Sequence, residues 1–390
     1  MNPNPDHPGS KHPGKALVAM SGGVDSSVAA ALLVEQGFDV VGCFMRLGEE
    51  DEPEGIIEPS GACDTGKRKA HKQGCCSVGD AVDARIVAAQ LDIPFYVCNF
   101  RKDFGRIKEY FVGEYLAGRT PNPCVRCNDW LKLGKLHDYA QQIGADFVAT
   151  GHYARIGAHD GVPTLLRGVD AHKDQSYVLF GTPPAKLAET LLPIGEYEKS
   201  VIRAMAKERD LPVFNKPDSQ EICFIPDNDY AGFVERQSPE SAQRGAILTT
   251  EGEQIGTHEG QHRFTIGQRR GVNIAAGKPI YVVDRNPETN TVTVGSRDDL
   301  LSGGLLAADL NWLDDAERFA DWAPVMAQIR YNASAVAAQA KVDLGADSME
   351  IRFDEPQSAV APGQAVVCYE SESDQRVLGG GWIRSAIARS

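Results

Sequence analysis

The first 150 residues alternate between short apolar runs and longer segments in which apolar residues recur every three or four positions. The apolar runs predict buried strands at residues 16–20, 40–45, 95–100 and 147–150. The amphipathic segments predict helices at residues 26–36, 80–91, 104–116 and 130–143. Because strands that alternate with helices are typical of parallel sheets with helices on both faces, this half is predicted to be a doubly wound α/β domain.

The pattern changes after residue 245 to short β-like runs separated by Gly, Asn, Pro and Asp. These runs lie at residues 279–284, 291–294, 325–331, 349–353 and 365–369. Frequent turns between short strands are typical of a compact β-barrel. We therefore expect a flexible tail at 1–14, the α/β domain at 15–215, a small central linking domain at 216–280 and a C-terminal β-barrel at 281–390.

Residues 48–79 interrupt the alternation of strands and helices with an acidic run followed by a basic one. We interpret this segment as an insertion in the α/β domain, in the form of a solvated loop. Its three cysteines, Cys63, Cys75 and Cys76, do not match a common zinc-site spacing. The pattern indicates no role for the insertion.

The chain has 390 residues, more than one hydrophobic core usually supports, so several domains are expected. It contains no apolar run of about 20 residues and no secretory leader pattern, which predicts a cytoplasmic protein without a membrane partner. Nine cysteines, an odd number, are more typical of thiols in a reducing compartment than of a disulfide framework. The net charge of −14 argues against nonspecific binding to nucleic acid, and we expect no DNA partner, but a local basic site is compatible with it.

The segment 21–27, with the sequence SGGVDSS, lies between the first predicted strand and the first predicted helix. Glycines at this position let backbone N–H groups converge on an anion, and the helix N-terminus adds partial positive charge. Ser21, Ser26 and Ser27 add hydroxyl donors, and Asp25 is a candidate for helix capping or for holding magnesium. The segment lacks the lysine and the spacing of a Walker A motif, so γ-phosphate transfer is not indicated. For two glycines alone, an ordinary strand-to-helix turn would be the simpler interpretation.

Cys124 and Cys127 form a CxxC pair before the helix predicted at 130–143, and Cys223 lies much later in a polar segment that becomes apolar. A thiol near a helix N-terminus with Arg126 beside it is expected to have a lowered pKa, which favours the nucleophilic thiolate. Zinc ligation is an alternative, although one CxxC and one solitary cysteine supply only three of four ligands. Apolar packing is the favoured interpretation for the thiols in predicted strands, which are Cys43, Cys98 and Cys368.

Two groups of basic residues are candidates for contact with nucleic acid. The first group, Arg263, Arg269 and Arg270, flanks Phe264. The arginines would contact phosphate groups, and the phenylalanine would stack on a base. The second is a helical stripe that is more typical of a solvated face than of a binding site, formed by Lys199, Arg203, Lys207 and Arg209.

Seven motifs occur in one order along the chain: SGGVDSS at 21–27, GRTPNP at 118–123, ATGHYAR at 149–155, KDQSY at 173–177, DSQEICFI at 218–225, FTIGQR at 264–269 and PGQA at 362–365. Together they resemble the tRNA-specific 2-thiouridylases of the MnmA type, members of the PP-loop ATP pyrophosphatases, over residues 15–383. The resemblance implies a PP-loop domain of the adenine nucleotide α-hydrolase type, a small tRNA-binding central domain and a C-terminal barrel. It also implies ATP-dependent 2-thiolation of the wobble uridine in tRNAs for lysine, glutamate and glutamine.

The resemblance assigns roles to individual residues. Contacts with ATP are implied for Ala19, Met20, Ser21, Gly22, Gly23, Val24, Asp25, Ser26, Met45 and Gly151. Contacts with the target base are implied for Asn122, Pro123 and Cys124. Contacts with tRNA are implied for His152, Lys173, Asp174, Gln175, Arg330, Tyr331 and Gln364. Many relatives have aspartate where this chain has Cys124, so the role of that aspartate does not carry over.

The resemblance further implies that ATP, with Mg²⁺, adenylates the C2 oxygen of a flipped-out uracil and that sulfur then displaces AMP. In the favoured route, a cysteine desulfurase or a sulfur-relay protein loads a persulfide on Cys223, and the nucleophile Cys127 ends in a disulfide with it. In the alternative route, Cys124, Cys127 and Cys223 hold a [4Fe–4S] cluster whose fourth iron carries sulfide. Another PP-loop adenylating enzyme and a non-catalytic RNA-binding or sulfur-carrier protein are the remaining alternatives.

Overall fold

The computed structural model describes residues 13–48, 78–218, 222–274, 277–371, 373 and 375–389. Most of the predicted tail and nearly all of the predicted insertion at 48–79, including Cys63, Cys75 and Cys76, lie outside the described residues. Within the described ranges, no helix combines the length and apolarity that crossing a bilayer requires.

The N-terminal part is built around a five-stranded sheet. Its first elements are β1 (Lys15–Ala19), α1 (Val24–Glu35), β2 (Asp39–Arg46), α2 (Val78–Gln90), β3 (Phe95–Asn99), α3 (Arg101–Leu116), α4 (Pro123–Cys127), a π-helix (Asn128–Lys135), α5 (Leu136–Gln142) and β4 (Phe147–Ala149). The chain continues through β5 (Ala154–His159), β6 (Val162–Arg167), α6 (Ser176–Leu179), α7 (Pro184–Leu187), β7 (Thr190–Leu191) and α8 (Lys199–Glu208). The strand order is β3-β2-β1-β4-β7 with parallel pairing, which confirms the predicted α/β class.

Both faces of this sheet are covered, and β1 shows why its sequence is apolar throughout. Ala16 and Val18 pack with α1, α2 and α8 on one face, whereas Leu17 and Ala19 pack with α3 and α5 on the other. Side chains of a strand point alternately to the two faces, so a strand buried on both sides needs a continuous apolar run.

The strand order reverses at β1, which lies between β2 and β4. In open α/β sheets, ligands bind at such a reversal, outside the carboxyl ends of the strands. The SGGVDSS segment follows β1 and Gly151 follows β4, so the fold places both motifs at this point.

A central unit follows, with α9 (Tyr230–Gln237) and a four-stranded sheet of β8 (Gly245–Thr249), β9 (Gln254–His258), β10 (Tyr281–Asn286) and β11 (Thr291–Gly295), in the order β10-β11-β8-β9. The predicted boundary between residues 280 and 281 is therefore wrong. Residues 281–295 complete the central sheet because β11 pairs in parallel with β8, and Ile247, Val282 and Val292 share one apolar cluster.

The C-terminal unit is a closed barrel, as predicted, although it begins later than expected. Its strand order is β12-β15-β14-β13-β16-β17. The strands are β12 (Leu301–Trp312), β13 (Ala323–Gln328), β14 (Val336–Asp343), β15 (Ser348–Ser358), β16 (Ala365–Glu370) and β17 (Val377–Ala388). Closure pairs both edges of every strand, which removes exposed sheet edges.

The barrel packs directly on the α/β domain. The hydroxyl of Tyr177, a fully buried residue of α6, donates to the carbonyl oxygen of Ala365 over 2.9 Å. The guanidinium of Arg167 lies 3.5 Å from the ring centre of Tyr369, a cation–π contact between the two units. The N–H of Thr120 donates to Pro362 O over 2.8 Å, so the barrel also holds the segment that leads to the CxxC pair.

Candidate active site

The SGGVDSS segment forms a tight loop between β1 and α1. Gly22 has a left-handed φ of 72°, and a Cβ there would lie 2.2 Å from the carbonyl oxygen of Asp80. Glycine is therefore required for both conformation and space. Gly23 is the N-cap residue of α1 and supplies no side-chain cap, so the first N–H groups of α1 are available to an anion.

The three serines of the loop differ in burial and in hydrogen bonding. The N–H of Ser21 donates to Ser26 Oγ over 3.1 Å, and the hydroxyls of Ser26 and Ser27 donate to Gly23 O over 3.3 and 2.8 Å. Ser26 and Ser27 are buried, whereas Ser21 is exposed. The first two therefore shape the loop, and Ser21 is the hydroxyl best placed to meet a ligand.

Gly151, at the end of β4, closes the other side of the loop. A Cβ at this position would lie 2.6 Å from the backbone nitrogen of Ser26. The two segments that the sequence assigns to ATP are thus in contact, although they are far apart along the chain. Their role in binding ATP stays a prediction.

Asp25 does not cap α1. Its carboxylate accepts hydrogen bonds from Lys199 Nζ over 2.7 and 2.8 Å and from the hydroxyl of Tyr153 over 2.7 Å. The interpretation of Lys199 as part of a solvated stripe is therefore wrong. α8 packs against α1 and begins at Lys199, which carries the ammonium group to the phosphate loop. No local sequence signal distinguishes Lys199 from the other basic residues of α8.

His152 and Lys132 form a second polar pair beside the loop after β4. Thr150 Oγ1 lies 2.7 Å from His152 Nδ1, and Lys132 Nζ lies 3.5 Å from Nε2. Burial lowers the pKa of His152 well below its usual value, and the charge of Lys132 lowers it further. Because the imidazole is neutral and lysine can only donate, Nε2 accepts from Lys132 and Nδ1 donates to Thr150. Lys132 was not identified from the sequence.

The CxxC pair lies inside a helix rather than before one. Asn122 caps α4 by accepting from the N–H of Val125 over 3.3 Å, and Pro123 occupies the first turn, so the helix begins at Pro123. The predicted start of the helix near residue 130 is therefore wrong, because the cap from Asn122 and the proline that follows it begin the helix earlier. Cys124 is in the first turn and Cys127 is the last residue of α4 before the π-helix.

Arg126 turns towards the barrel. Its guanidinium lies 3.8 Å from the ring centre of Trp382 and 3.9 Å from the carboxylate of Asp309. Arg126 therefore links the CxxC segment to β17 and to β12.

Cys127 and Cys223 pack against the same apolar cluster, which also receives Met45 from the end of β2. Both thiols are half-buried. Phe224, next to Cys223, is held edge-on by Phe104 and Phe111 of α3, with ring centres 5.6 and 5.4 Å apart. The structure thus places both predicted catalytic thiols on the border of one apolar cluster, to which α3 contributes Phe104 and Ile107.

The three thiols of the site do not converge as metal ligands. Among the residues that the structure describes, no group of three or more His, Cys, Asp or Glu side chains is arranged to hold a metal ion. Cys124 is exposed, unlike Cys127 and Cys223. A [4Fe–4S] cluster needs cysteines that converge on it, so the residues do not fit the cluster route.

The other described cysteines are buried, which confirms the interpretation of Cys43, Cys98 and Cys368 as packing residues. Cys43 and Cys98 come from the neighbouring strands β2 and β3, and their sulfur atoms are 2.9 Å apart.

The residues assigned to tRNA all make contacts within the protein. Lys173 donates to Asp218 over 2.9 Å, Asp174 accepts from Arg167 over 2.7 Å, and Gln175 accepts from the N–H of Tyr153 over 2.9 Å. In the barrel, Arg330 donates to Ser358 O, and Gln364 donates to the carbonyls of Thr120 and Pro121. His152 is buried, whereas Tyr331 is 39% exposed. Their contacts with tRNA stay a prediction.

Each of the three structural units matches a different known family model. Residues 14–227 match the model described as the tRNA methyl transferase HUP domain, residues 231–296 the tRNA methyl transferase PRC-barrel domain, and residues 302–383 the aminomethyltransferase beta-barrel domain. The last two ranges agree with the central sheet that ends at Gly295 and the barrel that starts at Leu301.

Individual relatives match over almost their whole length. The chain is 48% identical to the tRNA-specific 2-thiouridylase MnmA of Rhodopirellula baltica, covering 96% of this chain and 97% of that one. It is 46% identical to the protein of the same name from Carboxydothermus hydrogenoformans, covering 96% and 98%. A solved complex of a 4-thiouridine synthetase with RNA and bound ATP aligns with 58% of this chain and 51% of that one at 16% identity, with a TM-score of 0.36, too distant to support an argument.

The HUP-domain model spans more than half of the chain, and the identity to full-length relatives is far above the level at which families become ambiguous. The chain therefore belongs to the tRNA-specific 2-thiouridylase (MnmA) family.

Proposed function

We propose that this protein is an ATP-dependent tRNA-uridine 2-sulfurtransferase, which replaces the C2 oxygen of a wobble uridine by sulfur and releases AMP and pyrophosphate. The observation that carries the proposal is that Cys127 and Cys223, far apart in sequence, both border the apolar cluster on one face of the parallel sheet whose strand β1 leads into the glycine loop. Membership in the 2-thiouridylase family supports it independently.

The first step is activation of the carbonyl. The C2 carbonyl of uracil resembles an amide, so its oxygen is a poor leaving group until it carries AMP. The oxygen attacks the α-phosphorus of ATP, and the bond to the β-phosphate breaks. The glycine loop and the N-terminus of α1 are suited to stabilise the departing pyrophosphate with backbone N–H groups. Asp25 is bound to Lys199 and Tyr153, so it does not fit as a ligand of Mg²⁺ in this arrangement.

The second step is sulfur transfer. A persulfide on Cys223 supplies the sulfur, and the thiolate of Cys127 attacks Sγ of Cys223. The S–S bond of the persulfide breaks, hydrosulfide leaves, and a Cys127–Cys223 disulfide forms. Hydrosulfide attacks C2, and AMP departs with the former C2 oxygen. An external dithiol then reduces the disulfide and restores both thiols.

The base is proposed to lie beside residues 122–124. Pro123 is buried and fixed by the cap from Asn122, whereas Cys124 is exposed and positioned in the first turn of α4. Tyr331 is 39% exposed; burial raises the pKa of its hydroxyl, and the charges of Asp174 and Cys124 raise it further. Tyr331 is therefore a candidate for stacking on the displaced base or a neighbour.

The partners that this reaction needs are a tRNA and a protein that delivers sulfur, of the cysteine desulfurase or relay type. A non-catalytic RNA-binding or sulfur-carrier protein is the competing function. Release of pyrophosphate separates the two, because a binding module would release none when tRNA and ATP are added together.

The decisive experiment incubates the protein with ATP, a sulfur source and unmodified tRNA, and analyses the nucleosides by mass spectrometry. We expect 2-thiouridine at the wobble position, with one pyrophosphate released for each sulfur inserted. A tRNA with cytidine at that position is the matched control and should gain no sulfur. Sulfur in another nucleoside, or none despite pyrophosphate release, would contradict the proposal.

A further inference from the structure

Lys216 binds the phosphate loop, residues 21–27, from the side of α2. Its ammonium group donates to the carbonyl oxygen of Gly22 over 2.9 Å and to the carboxylates of Asp80 and Asp83 over 2.6 and 2.7 Å. These three acceptors match the three N–H donors of an ammonium group. The side chain of Lys216 is 14% exposed and that of Asp80 is 5% exposed, so water competes little for these bonds.

Lys216 binds Gly22 as a cation. Burial acts to lower the pKa of the ammonium group, but its hydrogen bonds to Asp80 and Asp83 raise the pKa above the ordinary value for lysine. The hydrogen bond to Gly22 O is therefore charge-assisted, and such bonds are roughly twice as strong as those between neutral groups.

The carbonyl group that Lys216 binds belongs to the peptide between Gly22 and Gly23. In a trans peptide the carbonyl oxygen and the N–H point in opposite directions, so the N–H of Gly23 points away from Lys216. Gly23 is the N-cap residue of α1 and is half-buried. Its N–H therefore lies beside the first N–H groups of the helix, which are available to an anion.

A peptide between two glycines is easily reversed. Rotation of its plane by half a turn exchanges the directions of the carbonyl oxygen and the N–H, and it changes ψ of Gly22 and φ of Gly23. Gly23 has a φ of −97°, and the rotation would bring it into the left-handed range, which glycine adopts about as readily. The reversed peptide would present a carbonyl oxygen to a phosphate group, and the two would repel each other.

We propose that Lys216 is a positioning residue that holds the Gly22–Gly23 peptide with its N–H towards the phosphate site. The inference rests on the proposed function, because it takes the loop as the site of the departing pyrophosphate. Lys216 binds Gly22 O from the opposite side and excludes the reversed peptide. The N–H of Gly23 is thereby oriented before a phosphate group arrives, and a donor oriented in advance loses no freedom on binding.

The test measures binding of pyrophosphate and of AMP to the full-length protein by isothermal titration calorimetry. Lys216→Met combined with Asp80→Asn removes the bond to Gly22 without leaving a buried carboxylate opposite an apolar side chain. We expect the Kd for pyrophosphate to rise about tenfold, as for the loss of one hydrogen bond to a charged group. The Kd for AMP, which lacks the β- and γ-phosphates, should change by less than about twofold.

Two results of this measurement would overturn the proposal. The first is an equal rise in both Kd values, because it would indicate general damage to the site. The second is a wild-type protein that does not bind pyrophosphate.

Single variants separate the bond to Gly22 from the ion pairs around it. Lys216→Arg keeps a cationic donor and should retain most of the affinity for pyrophosphate. Asp83→Asn removes an ion pair but keeps the bond to Gly22, and should bind pyrophosphate as the wild type does. Lys186→Met is the matched control, because Lys186 also donates to a glycine carbonyl, that of Gly134 over 3.3 Å. A loss of pyrophosphate binding in this control as large as in the Lys216 variant would contradict the proposal.

A substitution at Gly23 tests the reversal of the peptide itself. Gly23→Ala is compatible with the native φ of −97°, and its Cβ would lie 3.4 Å from Ser21 Oγ, an ordinary contact. Alanine disfavours the left-handed φ of the reversed peptide. The loss caused by removing Lys216 should therefore fall from about tenfold with Gly23 to about twofold in the Gly23→Ala background. The same tenfold loss in both backgrounds would show that Lys216 does not act by orienting this peptide.

Failure of this inference and failure of the proposed function give different results. If the wild type makes 2-thiouridine and its binding of pyrophosphate does not depend on Lys216, only this inference fails. If the wild type makes no 2-thiouridine from tRNA, ATP and a sulfur source, the proposed function fails whatever the calorimetry shows.

Discussion

Gln364 lies immediately before β16, and its side-chain amide donates to the carbonyl oxygen of Pro121 over 3.0 Å. The same amide donates to Thr120 O over 3.1 Å. A barrel residue thus holds the two peptides that precede Asn122, the cap of the CxxC helix. Through this contact the barrel holds the segment at which the CxxC helix begins.

Replacing Gln364 by alanine should loosen the Thr120–Pro121 segment and displace Cys124 and Cys127. We expect the rate of 2-thiouridine formation at saturating tRNA to fall about tenfold, with the KM for ATP unchanged. Gln357→Ala is the control, because the side-chain amide of Gln357 donates locally, to the carbonyl oxygen of Glu355 over 2.8 Å. Unchanged turnover in Gln364→Ala would show that the barrel contact is dispensable.

Replacing Gly151 by alanine should impair the nucleotide site. The added Cβ would lie 2.6 Å from the backbone nitrogen of Ser26, so the first turn of α1 has to move. We expect the KM for ATP to rise about tenfold or more, while tRNA binding measured by filter retention stays the same. Gly113→Ala in α3, where a Cβ would meet no atom within 4 Å, should leave both unchanged.

One turnover of persulfide-loaded enzyme without reductant should leave a disulfide between Cys127 and Cys223. Peptide mapping under non-reducing conditions detects the linked pair. Cys43 and Cys98, with sulfur atoms 2.9 Å apart in the core, are an internal control because their thiols have no part in the proposed step. Cys127→Ala and Cys223→Ala should abolish thiolation but retain ATP and tRNA binding. A variant that thiolates at the normal rate would remove that cysteine from the mechanism.

Replacing Tyr331 by alanine should weaken binding of tRNA. Tyr331 is 39% exposed, and the centre of its ring lies 6.1 Å from that of Tyr177. Loss of one aromatic stacking surface costs about 1–3 kcal/mol, so the KM for tRNA should rise about fivefold or more. Tyr331→Phe keeps the stacking surface and should bind tRNA normally. Equal weakening in both variants would point to the hydroxyl instead.

Asp129 should make the stability of the protein depend on pH. Burial raises the pKa of this carboxyl to about 7, although the charge of Arg126, 4.0 Å away, opposes the shift. The native state therefore holds a proton that the unfolded state releases near pH 4, and stability is lost as pH rises from about 4 to about 7. We expect Asp129→Asn to gain in Tm relative to the wild type between pH 5 and pH 8. Asp138→Asn, with an exposed carboxylate, should show no such trend.

The sequence alone predicted the features that depend on local physics. Apolar periodicity located β1 to β4 and the helices α1, α2 and α3 because a buried strand and an amphipathic helix repeat with different periods. The glycines after β1 marked the phosphate loop because Gly22 needs a left-handed backbone. The order of seven motifs indicated the family. The cap at Asn122 is also a local signal, since Asn followed by Pro favours the start of a helix.

Only the tertiary structure decided which distant groups meet. Lys199 and its neighbours on α8 look alike in sequence, yet Lys199 alone joins Asp25 to Asp218 because α8 packs against α1 at that end. The strand at 291–295 belongs to the central sheet because its partner is β8, which no local pattern specifies. Local preferences act between neighbouring residues. Ion pairs, strand partners and the packing of Cys127 and Cys223 against one apolar cluster depend instead on segments that are far apart in sequence, so they are decided only when the chain folds.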